Sequence, residues 1–135
     1  MIGALAVVNA LGTPFAPDGT AWAAPFLPPG HTLAHGPPSA PPAEPGTVPF
    51  GLANTTLVVI ATNARLDPGQ CYRTAVCGQD GIARALVPAH TMLDGDTVFA
   101  LATGQIPVSL VQVVQLQALA AQVALMAIAD AARRI

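Results

Sequence analysis

The sequence contains no lysine, and only 9% of its 135 residues are charged and 4% aromatic. Disordered chains stay unfolded through high charge and low hydrophobicity, whereas this chain is 53% hydrophobic with a mean hydropathy of +0.56, so that class is excluded. Its 5 cationic side chains are all arginines, too few to neutralise a run of phosphates, so nucleic acid is not an expected partner. So sparse a charge also predicts that another protein covers part of the folded surface.

Cysteine is almost as rare, with 2 in the whole chain. Cys71 and Cys77 lie in one predicted helix at a separation that keeps their Cβ atoms too far apart for a disulfide. Free thiols are typical of a reducing compartment, which favours the cytoplasm. His31 and His35 stand close in sequence, but the surrounding prolines prevent the helix that would bring both to one face, so a metal site is not predicted there.

The uncharged stretch 108–129 is long enough to span a bilayer. Polar side chains nevertheless recur along it at helical spacing, at Ser109, Gln112, Gln115 and Gln122. This stripe favours an amphipathic or partner-covered helix of a soluble protein over a transmembrane helix, so no membrane is expected as a partner. The apolar residues 1–8 have no basic residue before them, and a signal peptide is not favoured.

Three apolar or β-branched runs predict strands over 2–10, 55–62 and 97–103, with a break at Gly104. Between the first two runs, residues 11–53 hold 11 of the 14 prolines. Proline lacks an amide donor and cannot propagate a helix. Residues 11–53 are therefore predicted to form a long mobile or polyproline-like connector.

Two helices are predicted in the second half of the chain. Asp67 followed by Pro68 is typical of a helix start, and this helix is expected to run to about residue 86, loosened at Gly78 and Gly81. Pro107 is expected to begin the last helix, which ends near residue 134. Alternation of strands and helices predicts the α/β class, in one small domain.

The tripeptide Asn54-Thr55-Thr56 opens the second predicted strand. A threonine hydroxyl is a weak nucleophile unless a base lies beside it. If the preceding peptide bond is cut, the new α-amine supplies that base within the same residue, and the hydroxyl can make this cut by attacking the preceding carbonyl. On spacing alone, however, paired threonines are ordinary strand residues.

Other polar residues lie where chemistry is conceivable. Asp94 and Asp96 point to one side of an extended segment, where they could orient an ammonium group and a hydroxyl, although D-G-D is also typical of a turn. Asn9 ends the first strand, where its amide could donate to an oxyanion or simply close a turn. His90 is expected to be a capped or solvated loop histidine.

Three stretches together resemble the DmpA-like self-processing aminopeptidases and amidases, which include the nylon-oligomer hydrolases. They are A-V-V-N-A at 6–10, N-T-T-L-V-V-I-A-T-N-A at 54–64, and a segment that runs from D-G-I-A-R-A at 80–85 to D-G-D-T-V-F-A-L-A-T-G at 94–104. The resemblance covers nearly all of the chain outside 11–53.

The resemblance implies an N-terminal-nucleophile hydrolase with an αββα sandwich, of which this chain forms only the C-terminal part. The precursor would cut itself between Asn54 and Thr55 into two chains that stay together. Residues 1–54, with the proline-rich connector, would then end the α-chain, and residues 55–135 would be the β-chain.

The resemblance also implies a role for each candidate residue. Thr55 would be the nucleophile, with its α-amine as base, rather than Thr56, because neighbours in a strand point to opposite faces. Asp94 and Asp96 would orient the hydroxyl and the amine, and Asn9 would hold the oxyanion. The expected substrates are linear oligoamides such as nylon oligomers, or N-terminal aminoacyl amides and peptides, with no metal or organic cofactor and a homotetrameric assembly.

The sequence departs from the family pattern at several points. Family members are longer, and their N-terminal portion carries several sandwich strands and a lysine beside the nucleophile. Gln79 stands where many members have histidine, and Asn63 where many have aspartate. A truncated remnant, or a non-catalytic subunit that keeps the fold and binds a partner chain, is therefore the alternative.

Overall fold

A computed structural model describes residues 1–31 and 54–132 of the chain. In chain order the elements are strand β1 (Ile2–Asn9), a 3₁₀ turn (Ala24–Phe26), strand β2 (Thr55–Ala64), helix α1 (Pro68–Ala85), strand β3 (Thr97–Ile106) and helix α2 (Leu110–Ala132). The predicted α/β class is confirmed.

The three strands form one sheet in the order β1-β2-β3. β1 pairs antiparallel with β2, whereas β3 pairs parallel with β2. The parallel pair needs a crossover, and α1 provides it. This topology brings the end of β1, the start of β2 and the start of β3 to the same end of the sheet.

Both helices cover the same face of the sheet. Val58 and Ile60 of β2 are fully buried against Ile82 of α1 and against Leu125 and Ile128 of α2. Every second side chain along each strand points away from the helices. The large apolar side chains exposed on this side are Leu5, Val7, Leu57, Phe99 and Leu101. Within the described ranges the fold is thus a two-layer unit with an open apolar sheet face, which is named the open face below.

Helix α1 begins as predicted directly after its N-cap, Asp67, whose carboxylate accepts from the main-chain N–H of Gln70 (2.8 Å) in a capping box. The predicted loosening at its glycines is wrong, because the helix is continuous through both. A Cβ on Gly78 would lie 2.6 Å from Ile60 Cδ1, and one on Gly81 would lie 2.7 Å from the Ala124 Cβ. These glycines allow α1 to approach the sheet and α2 closely.

Residues 11–31 of the predicted connector make specific contacts with the rest of the fold. Thr13 and Val87 exchange two main-chain hydrogen bonds of 3.0 and 3.1 Å, and Ala23 belongs to the buried core. The Arg84 guanidinium lies 5.4 Å from the centre of the Phe26 ring. Tertiary contacts therefore compensate for the missing secondary structure. Residues 32–53, which hold the rest of the predicted connector, lie outside the described residues.

Two predicted boundaries also shift. β3 does not break at Gly104, which adopts a φ of +74° within the strand and lets it continue to Ile106. α2 begins at Leu110 rather than at Pro107, because Ser109 caps it. The Ser109 amide donates to Gln112 Oε1 (2.8 Å) and the Gln112 amide to Ser109 Oγ (3.4 Å), as in a capping box.

Helix α2 is long and apolar enough to cross a membrane, with a mean hydropathy of 1.6. Of its most apolar 18 residues, 39% are buried inside the protein. The core helix of a soluble protein meets the same criterion. Its second half enters the core, whereas its first half exposes Leu110, Val111 and Val114 beside the predicted polar stripe. Cys71 and Cys77 of α1 are both free thiols.

Candidate active site

The fold brings the predicted site residues together at one end of the sheet. Asn9, the last residue of β1, lies directly opposite Thr55, the first residue of β2. On the other side of β2, Asn54 forms an isolated parallel bridge with Asp94. Residues that are far apart in sequence are neighbours here because β2 is the central strand.

Thr55 and Thr56 point to opposite faces of the sheet. Thr56 is fully buried on the helix side of the sheet, whereas Thr55 is half-buried and points to the open face. The Thr55 hydroxyl donates to the Asn54 carbonyl oxygen at 2.7 Å. The strand therefore presents only the first of the two threonines to the bond that is predicted to be cut.

The Asn54 carbonyl also accepts from the main-chain N–H of Gly95, at 2.7 Å. A Cβ on residue 95 would lie 2.8 Å from the Thr55 hydroxyl oxygen, closer than real Cβ atoms approach another group. Only glycine allows this approach. Gly95 is not among the predicted site residues, although a glycine between two candidate acids is a recognisable signal of close packing.

Asp94 connects the end of β1 to the loop that precedes β3. Its Oδ1 accepts from the Leu11 amide at 3.2 Å, and its Oδ2 accepts from the Thr91 amide at 3.1 Å and the Thr91 hydroxyl at 2.6 Å. Hydrogen bonds of a carboxylate to such donors are stronger than neutral ones. In this arrangement Asp94 holds the loop beside Asn54.

The side chain of Asp96 is almost fully buried, with 3% of its surface exposed. Its Oδ1 accepts from the Thr56 amide at 2.9 Å, which anchors the start of β2. Its Oδ2 lies 3.1 Å from His90 Nδ1 and accepts from the His90 amide at 3.2 Å. Both predicted acids therefore orient the main chain around Thr55, while the Thr55 hydroxyl itself bonds to Asn54.

His90 is a loop histidine, as predicted, and its side chain is 37% exposed although it contacts Asp96. Its φ of +58° is the left-handed conformation, which is uncommon for residues other than glycine. This conformation places the ring between Asp96 and α1, where Nε2 lies 3.3 Å from the Gln79 carbonyl. The contact uses the main-chain oxygen of Gln79, so the side chain at that position does not determine it.

Within residues 1–31 and 54–132 no group of three or more His, Cys, Asp or Glu side chains is placed to hold a metal ion. His31 is exposed, and His35 lies outside the described residues. What the site does assemble is a hydroxyl and an N–H on one peptide carbonyl, an arrangement suited to acyl transfer.

Comparisons with known proteins identify relatives of this chain. The sequence pattern of Peptidase family S58 matches residues 1–134. An uncharacterized aminopeptidase of Mycobacterium bovis is 44% identical over 115 residues, which cover 79% of this chain and 33% of that protein. A second uncharacterized aminopeptidase, of Mycobacterium leprae, is 59% identical over 58 residues, covering 43% and 16%.

The 6-aminohexanoate-oligomer endohydrolase of Paenarthrobacter ureafaciens is 40% identical over 53 residues, which cover 39% of this chain and 15% of that protein. The chain spans about a third of the length of the Mycobacterium bovis aminopeptidase that it matches. Because the family pattern matches almost the whole sequence, the chain belongs to peptidase family S58, the DmpA family that its motifs resemble.

Proposed function

We propose that this chain is the C-terminal part of a self-cleaving amide-bond hydrolase whose nucleophile is Thr55. The observation that carries the proposal is the pair of 2.7 Å hydrogen bonds to the Asn54 carbonyl, one from the Thr55 hydroxyl and one from the Gly95 amide. The nucleophile and a polarising donor thus meet at the same peptide group.

Self-cleavage would proceed by an acyl shift. The Thr55 Oγ1 forms a bond to the Asn54 carbonyl carbon, and the bond from that carbon to the Thr55 nitrogen breaks. The nitrogen takes the hydroxyl proton and becomes the α-amine. Water then hydrolyses the ester, which leaves a carboxylate on Asn54 and a free hydroxyl beside the α-amine of Thr55.

In the cleaved protein the same residue would act on external amides. As Thr55 Oγ1 bonds to the substrate carbonyl carbon, the α-amine takes the hydroxyl proton and returns it to the leaving amine. Water then hydrolyses the resulting ester, which releases the acid and frees the Thr55 hydroxyl. Asn9, directly opposite Thr55, is the residue we propose to hold the substrate oxyanion. Two relatives are named aminopeptidase and 6-aminohexanoate-oligomer endohydrolase. These names support N-terminal aminoacyl amides, peptides or linear oligoamides as substrates.

We further propose that a second sheet covers the open face and completes an αββα sandwich. The support is the row of large apolar side chains on that face, with Leu5 70% and Phe99 55% exposed. Faces of this kind are normally buried against another layer. The exposed first half of α2 supports burial in a homo-oligomer, and the two free thiols suit the cytoplasm.

Intact-mass spectrometry of the purified full chain tests self-cleavage. We expect two species that correspond to residues 1–54 and 55–135. Thr55→Ala should remain a single species, Thr55→Ser should still cleave, and Thr56→Val should cleave like the unaltered chain. An uncut chain, or a cut that persists in Thr55→Ala, would overturn the proposal.

A second candidate is a non-catalytic subunit that retains the fold and binds a partner chain. The exposed apolar side chains of the open face favour it, because they offer a surface for another protein. Hydrolysis of a 6-aminohexanoate oligomer or an aminoacyl amide distinguishes the two candidates. Turnover that disappears in Thr55→Ala excludes the non-catalytic role, whereas a stable, uncut and inactive complex with a partner supports it.

A further inference from the structure

The hydrogen bond from Gly95 to Asn54 is a consequence of the sheet register. Leu57 pairs with Thr97 in the parallel ladder, and the same offset places Asn54 opposite Asp94. In a parallel pair the amide of the residue after the partner points at the facing carbonyl. The Gly95 N–H is therefore held against the Asn54 oxygen by the fold, before any reaction begins.

The distance suits a donor to a developing negative charge. The separation of 2.7 Å between the Gly95 nitrogen and the Asn54 oxygen is at the short end of the range for N–H to oxygen hydrogen bonds. Donors that are already in place stabilise an oxyanion without reorganisation, which is why they are effective in acyl transfer.

The absence of a side chain at this position is an independent observation. A Cβ on residue 95 would lie 2.8 Å from Thr55 Oγ1 and 3.6 Å from Thr55 Cγ2. Any side chain would push the hydroxyl away from the carbonyl that it now contacts. The same residue thus supplies a donor to the carbonyl and leaves space for the nucleophile.

We propose that the main-chain N–H of Gly95 is the oxyanion donor for self-cleavage at the Asn54–Thr55 bond. The inference rests on the proposed function, within which it assigns a catalytic group. As the bond from Thr55 Oγ1 to the carbonyl carbon forms, the negative charge develops on the Asn54 oxygen, which already accepts this N–H. When the carbon–nitrogen bond breaks, the charge returns to the ester carbonyl and the hydroxyl proton stays on the Thr55 nitrogen.

The proposed oxyanion donors for self-cleavage and for substrate hydrolysis lie on opposite sides of β2. Gly95 acts on the chain's own peptide group on the β3 side of β2, whereas Asn9 lies on the β1 side, where we propose that it serves external substrates. Loss of the Gly95 donor should therefore slow maturation.

The test replaces glycine 95 with glycolate in the full chain, which exchanges the N–H for an ester oxygen and adds no atoms that crowd Thr55. Intact-mass spectrometry follows the rate of cleavage at residue 54. We expect cleavage to slow by about 100-fold, the usual effect of removing one oxyanion donor. Glycolate at Gly69, whose N–H lies in the first turn of α1, is the matched control and should cleave at the original rate.

The outcomes distinguish the two proposals. If the unaltered chain does not cleave, the proposed function fails and the inference fails with it. If the unaltered chain cleaves and the glycolate-95 chain cleaves equally fast, only the inference is overturned.

A second measurement does not require the glycolate-95 chain to fold. In uncleavable Thr55→Ala, nuclear magnetic resonance should detect the scalar coupling across the hydrogen bond from the Gly95 nitrogen to the Asn54 carbonyl carbon. Absence of that coupling in the folded protein would overturn the assignment.

Discussion

Asn9 lies directly opposite Thr55 across the ladder between β1 and β2, so the last residue of one strand faces the first residue of the next. Both side chains have the parity of the open face, whereas Thr56 points into the core. Strand alternation thus places two adjacent threonines of identical chemistry on opposite faces of the sheet.

Replacement of each threonine by valine should distinguish an effect on stability from an effect on self-cleavage. The Thr56 hydroxyl is buried and has no hydrogen-bond partner among the described residues, so Thr56→Val removes a desolvated polar group. We expect the free energy of unfolding to stay level or rise by about 1 kcal/mol, with cleavage intact. Thr55→Val should abolish cleavage with little loss of stability. Denaturant titration and intact mass measure the two effects, and loss of cleavage in Thr56→Val would contradict this assignment.

Replacement of His90 should loosen the Asp96 loop. His90→Asn tolerates the left-handed backbone but loses the ring contacts with Asp96 and Gln79, so we expect about 1 kcal/mol lower stability and about 10-fold slower cleavage. His90→Gly removes the same contacts and relaxes the backbone, and serves as the control for backbone strain. Unfolding curves and cleavage rates check both variants, and an unchanged cleavage rate in both would show that the ring does not position Asp96.

Asp94→Asn tests the carboxylate that holds the loop to β1. An amide has one acceptor oxygen, whereas Asp94 accepts from Leu11 with one oxygen and from Thr91 with the other. We expect a loss of about 1–3 kcal/mol, measured by urea unfolding. Asp18→Asn is the control, because the exposed Asp18 accepts from the Thr20 amide with an oxygen that asparagine retains. Equal stability of the two variants would contradict the prediction.

Gly81→Ala tests the close contact between the helices. Alanine favours helix formation by up to about 1 kcal/mol, but its Cβ would meet Ala124 at 2.7 Å and the Leu125 nitrogen at 2.9 Å. Overpacking of this kind costs about 1–3 kcal/mol, so we expect a net loss of stability in thermal or denaturant unfolding. Gly3→Ala, where a Cβ meets nothing within 4 Å, should be nearly neutral. A more stable Gly81→Ala would show that the helices can separate at little cost.

Local sequence determined the elements and the choice of Thr55 as the proposed nucleophile. The β-branched run after Asn54 has few alternatives to a strand, and Asp67-Pro68 carries the capping chemistry of a helix start within a few residues. Period-two alternation then distinguishes Thr55 from Thr56 without any tertiary information. The motif order was specific enough to identify the family, which the match over residues 1–134 confirmed.

Only the tertiary structure decided what surrounds Thr55. The Gly95 donor, the contact between His90 and Asp96 and the packing of residues 11–31 all join groups that are separated in sequence or lie in irregular segments. Their positions depend on the register between β2 and β3, and register is a property of two strands together that neither strand encodes alone. The chain's own pattern therefore selects Thr55 as the proposed nucleophile, while the pairing of its strands determines which groups surround it.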